Sequence, residues 1–190
     1  PLRTAFVAEH HGTVVALAVG ASMVCLVVAW KFPIRAWALC GGVLILGLLH
    51  RRLKANRWRT LAYVTGSWVA IVVGLPALHA GPEIETAPLV ATTVGLALAI
   101  GSNAIASQLR GVRFDANGAI RLRGARRAAL ASIAICLAVP GVRSVAMVGA
   151  ATWLGVLFFR SDERYGLVAL DGALLVGSIG AALSMSASTG

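Results

Sequence analysis

The chain has 190 residues, 58% of them hydrophobic and 13% charged, with a mean hydropathy of +0.84. A soluble domain carries charge on nearer a quarter of its residues, so these proportions exclude an ordinary soluble domain and point to an integral membrane protein. The net charge of +10 lies in short connections between apolar runs, where it sets orientation and meets lipid phosphate; nucleic acid is not an expected partner.

A spanning helix takes about 20 mostly apolar residues. The length therefore accommodates seven short-looped helices and predicts an all-α, polytopic protein, a single transmembrane domain over 1–190. Apolar runs read against charged interruptions predict helices near 12–30, 34–50, 60–79, 87–106, 128–142, 144–159 and 165–185. The first run is too long, and lacks a small-residue cleavage site, for a cleavable signal peptide. Trp30 and Trp37 flank the first outer connection and Trp58 lies in the first large inner one, as interfacial anchors do. Cys25, Cys40 and Cys136 lie inside apolar runs without CxxC spacing, and are expected as small core hydrophobes. The fifth run stops at Pro140-Gly141; it is expected either short and tilted or dipping into the bilayer with Arg126 and Arg127 snorkelling. In the last run Gly177 and Ala181, and Gly180 and Ser184, are four apart, which lets neighbouring backbones approach closely.

Lys and Arg counted on alternate sides of seven spans are strongly unequal. One side collects Arg3, Arg51, Arg52, Lys54, Arg57, Arg59, Arg110, Arg113, Arg121, Arg123, Arg126, Arg127, Arg160 and Arg164; the other has Lys31, Arg35 and Arg143. Basic loops stay cytoplasmic, which predicts a cytoplasmic N-terminus and a C-terminus on the opposite side.

The polar centre of the chain is Gly101–Arg127, GSNAIASQLRGVRFDANGAIRLRGARR, with six arginines and one carboxylate, Asp115. Its order, Asn103-Ala-Ile-Ala-Ser-Gln-Leu-Arg110, then Gly111-Val-Arg-Phe-Asp115, Gly118 and Gly124-Ala-Arg-Arg127, resembles the second aspartate-rich motif of the UbiA superfamily of intramembrane prenyltransferases. Further segments are similar to that family: the basic loop His50–Arg57 with Thr60-Leu-Ala-Tyr63 after it, Asp171-Gly172 in the final span, and Pro1-Leu2 before the first helix. The resemblance starts at the family's third helix, so it implies a UbiA-like bundle lacking the first two helices, with the counted topology preserved.

In the resembling motif Gln108 stands where the first aspartate would be and Gly111 where the second would be, while Asp115 remains. The family's reaction ionises a prenyl diphosphate held by Mg²⁺, and each such ion takes several carboxylate or phosphate oxygens. The resemblance thus implies that this chain alone assembles no Mg²⁺ site and has no catalytic residue. It implies a non-catalytic subunit or scaffold of a larger membrane assembly, its former interior groove filled by other subunits or by lipid, quinone, isoprenoid or pigment tails. The enzymatic alternative is one part of a split or truncated prenyltransferase, and a small transporter or channel subunit is a further one, disfavoured by the scarcity of intramembrane charge.

Individual residues carry paired expectations. Asp115 is a remnant metal ligand or a solvated ion-pair partner. Asp171 is an intramembrane polar site, or a carboxylate favoured by a helix N-terminus and paired with Arg164 or Arg160. Asn103 makes an interhelical hydrogen bond or a substrate contact. Arg51, Arg52, Lys54, Arg110, Arg113, Arg121 and Arg123 are candidate contacts for a diphosphate or an anionic lipid. His10, His11, His50 and His79 form no repeating pair at membrane depth, which argues against a haem or chlorophyll site.

Overall fold

The computed structural model describes residues 8–30, 32–53, 56–80, 85–110 and 115–188, and among them every regular element is helical. Among the described residues seven helices are defined in chain order. α1 is His11–Ala29 and α2 is Ile34–Leu53. α3 runs Arg57–Val69, passes through a π-helical turn at Ala70–Gly74 and ends with Leu75–Ala80. α4 is Thr86–Ser107 and α5 is Ala116–Ala138. α6 opens with a 3₁₀ turn at Arg143–Val145 and continues as Ala146–Leu157. α7 begins with Glu163–Tyr165, passes a second π turn at Gly166–Leu170 and ends with Asp171–Ser188.

Local chemistry fixes the boundaries. Asn56 caps α3, its side-chain oxygen accepting from the backbone N–H groups of Trp58 and Arg59. The first π turn ends at Gly74, two residues before Pro76, a residue with no N–H to donate inside a helix. α5 stops because Val139 before Pro140 is extended, and Gly141 then turns with a φ of +86°, a conformation glycine adopts without strain. Asp162 starts α7 by accepting the Tyr165 N–H at 2.6 Å.

One expected boundary is corrected by a full three turns. The fifth helix is expected from 128 but begins at Ala116, so Arg121, Arg123, Arg126 and Arg127 are helical rather than part of a connection. Arginine is a good helix former, and Asp115 supplies the cap by accepting the Gly118 N–H at 2.7 Å. The helix has 23 residues, about 34 Å at about 1.5 Å per residue.

α4, α5, α6 and α7 form the packed centre, with α3 against α4 and α2 against α3. Two apolar layers fill it. Val73, Leu96, Ala99, Ile100, Val148 and Ala181 form one; Ala106, Leu109, Leu122, Ala125, Val156 and Leu170 form the other. Small residues set the spacing of the helices. A methyl group at Gly177 would lie 2.7 Å from the Val148 Cα, and one at Gly149 would lie 2.8 Å from Ser132 Oγ. Ser132 in turn donates to the Gly95 carbonyl at 2.7 Å, tying α5 to α4 where Gly95 lets Cys136 approach.

Two helical stretches, Trp58–Leu78 and Thr86–Ser107, are long and apolar enough to cross a membrane, and shorter apolar helical stretches lie at His11–Val24, Ile34–Leu49, Arg143–Leu157 and Val168–Ser184. Their burial differs: 44% of the Thr86–Ser107 window is inside the molecule, but only 6% of the Trp58–Leu78 window. α1 is exposed along nearly all its described side chains, including Leu17, Val24 and Val27.

Candidate functional site

The start of α3, the end of α4, the start of α5, the end of α6 and the start of α7 meet at one end of the bundle. Four cross-helix contacts define that meeting. Ser102 of α4 donates to the Ala125 carbonyl of α5 at 2.8 Å, and Asn103 Nδ2 donates to the Leu170 carbonyl of α7 at 3.0 Å. Arg126 of α5 reaches the last carbonyls of α6, Nε to Val156 at 3.3 Å and Nη2 to Leu157 at 2.8 Å. The Tyr165 hydroxyl of α7 donates to the Gly155 carbonyl of α6 at 2.8 Å, with its ring edge-on to Phe159. Arg126 thus caps the end of α6, where the Val156 carbonyl also accepts from the Phe159 N–H at 3.4 Å.

Asn103 is 4% exposed and has both ends of its amide engaged, since Oδ1 also accepts from Ser107 Oγ at 3.3 Å. Its amide is thus an interhelical tie between α4 and the π turn of α7. Beside it, Arg110 donates Nε to the Ser107 carbonyl at 3.1 Å and brings Nη1 to 3.7 Å from Asp171 Oδ2. The arginine side chain passes directly over Gly166, where a methyl group would overlap Arg110 Cδ. Asp171, just after the π turn of α7, thus lies within ion-pair distance of Arg110 at the end of α4. With 43% of the Asp171 side chain and 18% of the Arg110 side chain exposed, water and salt screen the pair, and its contribution lies at the weak end of ion pairs.

The second polar contact lies on the other flank of α4. Arg121 Nη2 donates to Gln108 Oε1 at 2.5 Å. These two side chains border a cleft of about 420 Å³ between α3, α4 and α5, lined otherwise by Trp58, Leu61, Ile105, Ile120 and Gly124. Among the described residues the lining is apolar apart from Gln108 and Arg121. Trp58, 73% exposed, stands at its margin.

The other expected positions fall as follows. Asp115 is the cap of α5, its Oδ1 accepting the Gly118 N–H. Arg123 is exposed on α5, outside the residues that line the cleft. Arg51 and Arg52 belong to the end of α2. Lys54, Gly111 and Arg113 lie outside the described residues. Among the described residues no three His, Cys, Asp or Glu side chains come together as a metal-binding group.

Sequence reasoning missed the cleft, the π turns and the Arg126 cap. Pro76 is a visible signal for the first π turn. The second has no proline, and depends on Arg110 and Asn103 reaching it from α4. The neighbouring helices create the cleft, and no local pattern announces it. No protein-family model, curated protein or solved structure matches the chain.

Proposed function

We propose that the chain is a membrane-embedded UbiA-like bundle acting as a non-catalytic subunit or scaffold of a larger membrane assembly, with lipid, quinone or pigment tails against its apolar faces. The observation that carries this reading is α3, whose Trp58–Leu78 window is apolar enough to span a bilayer while 6% of it is buried. A soluble protein buries such a helix in its own core; here hydrocarbon or a partner's apolar surface must cover it. α1 needs the same cover, with Leu17 69%, Val24 64% and Val27 73% exposed.

The bundle end where α3, α5 and α7 begin also supports the proposed seven-span topology. It gathers Arg59, Arg110, Arg121, Arg123, Arg126, Arg127 and Arg160, while Arg143 opens α6 at the other end. By the positive-inside rule the basic end faces the cytoplasm, as does the N-terminus.

The non-catalytic part of the reading draws on the polar groups themselves. A diphosphate held by Mg²⁺ requires carboxylate oxygens converging on one cavity. Gln108 instead accepts from Arg121, Asp115 caps α5, and Asp171 faces Arg110. The direct test is incubation of the chain, in its native membrane, with a prenyl diphosphate, an aromatic acceptor and Mg²⁺. The expected result is no prenylated product above that of membranes lacking the chain. Product that depends on this chain and disappears in Asp171→Asn would establish the split prenyltransferase instead.

A further inference from the structure

Resting on the membrane placement proposed above, we infer that the cleft between α3, α4 and α5 binds one anionic phospholipid of the cytoplasmic leaflet. Its phosphate sits on Arg121, and one acyl chain lies along Leu61, Ile105 and Ile120. The cleft's volume of about 420 Å³ falls within the range of sites that enclose small ligands, about 300–1,000 Å³.

The charge balance of the cleft selects the ligand. Among the described residues Arg121 is the cation in the lining, and it donates to the amide oxygen of Gln108, a neutral acceptor. No carboxylate lines the cleft among the described residues. A guanidinium carries five N–H donors in a planar fork suited to phosphate, and the bond to Gln108 fixes the plane of that fork while leaving donors for a second acceptor. Arg110 and Arg126 differ in this respect. The first is turned to Asp171 and the second to the carbonyls of α6.

The shape of the cleft selects a ligand with a tail. The exposed wall is almost wholly hydrocarbon, Gln108 and Arg121 are the polar side chains among the described residues that border it, and at Gly124 an added methyl group would meet nothing within 4 Å. A free phosphate would leave that wall uncovered. A zwitterionic lipid would bring its own cation to the guanidinium. Trp58 at the margin has the amphipathic ring that favours the headgroup level of a bilayer, which puts the cleft at the depth where a phosphate and the top of an acyl chain meet.

The experiment is native mass spectrometry of the full chain in micelles, titrated separately with phosphatidylglycerol and phosphatidylcholine. Wild type is compared with Gln108→Glu, Gly124→Leu and Arg123→Gln. Gln108→Glu sets a carboxylate against Arg121 without removing it, and Gly124→Leu fills the open floor. Arg123→Gln removes an exposed charge of the same helix outside the cleft. Wild type is expected to retain one phosphatidylglycerol about fivefold more tightly than phosphatidylcholine, from about 1 kcal/mol for one basic residue. Gln108→Glu should abolish the preference, Gly124→Leu should lower retention of both lipids, and Arg123→Gln should match wild type. Thermal melting of each variant identifies any loss due to unfolding, and Arg121→Lys provides a second variant that keeps the charge while removing the fork; it should show an intermediate preference. Equal retention of the two lipids by wild type, or equal loss in Gln108→Glu and Arg123→Gln, would overturn the site. Either result would leave the membrane placement intact, because the chain would still partition with membranes.

Discussion

Asn103, in the fourth helix, donates a 3.0 Å hydrogen bond to the backbone carbonyl of Leu170, the last residue of the π turn in the seventh. The two residues are 67 positions apart and both are buried. The bond holds α7 where Arg110 can cross Gly166 and face Asp171. Asn103→Ala should therefore destabilise the bundle by about 1 kcal/mol, the scale of interhelical hydrogen bonds in membranes. For a chain of this size that is a fall of about 2–4 °C in Tm, checked by thermal unfolding in detergent. Asn103→Asp should be worse, because the same site would then hold an acceptor without the donor that Leu170 needs.

The glycines of α7 and α1 should respond in opposite ways to the same change. In Gly177→Ala the new methyl group meets the Val148 Cα at 2.7 Å and the Met147 carbonyl at 3.0 Å, both backbone atoms. The helices must separate, at about 1–3 kcal/mol. Gly20→Ala meets nothing within 4 Å, and should be neutral or stabilising by up to about 1 kcal/mol through helix propensity. Parallel melting curves of the two variants provide the comparison.

Arg126→Ala removes both donors to the Val156 and Leu157 carbonyls. The end of α6 should fray, with a loss of about 1–2 kcal/mol for a partly exposed charged donor. Limited proteolysis in the connection between Phe158 and Asp162 should speed up, while Arg127→Ala, on an exposed neighbour, should leave it unchanged.

The basic end of the bundle should face the cytoplasm. In a background without Cys25, Cys40 and Cys136, the single-cysteine variants Asn117→Cys and Ser161→Cys should react with an impermeant maleimide in inside-out vesicles. Glu85→Cys and Arg143→Cys should react in right-side-out ones. Labelling of all four from the same side would refute the seven-span arrangement.

The seven helices and their order are legible because apolar runs and charged breaks mark them; the end of the fifth, expected near 142, falls at Ala138, just ahead of Pro140-Gly141. The start of α5 was not legible. Four arginines between Arg121 and Arg127 suggest a solvated connection when read for hydropathy, yet their intrinsic helix preference and the Asp115 cap extend the helix back to Ala116. The interhelical reading of Asn103 followed from the cost of an unpaired amide among apolar residues. Its acceptor could not follow, because Leu170 reaches it only through the tertiary fold. Asp171 reads from sequence either as an intramembrane polar site or as a partner of Arg164 or Arg160; that α4 brings Arg110 to it depends on the tertiary fold. Arg121 and Gln108 were both singled out, but their mutual bond and the cleft beside them depend on the crossing of α4 with α5.

The measurement that tests the central claim most directly is the intact mass of the assembly released from native membranes by a gentle detergent, with chains and bound lipid identified together. The account predicts this chain in a stable complex with other membrane subunits, and lipid, quinone or pigment carried along. A stable, lipid-free monomer from the same extraction would contradict it, leaving the exposed faces of α1 and α3 without the cover on which the scaffold reading depends.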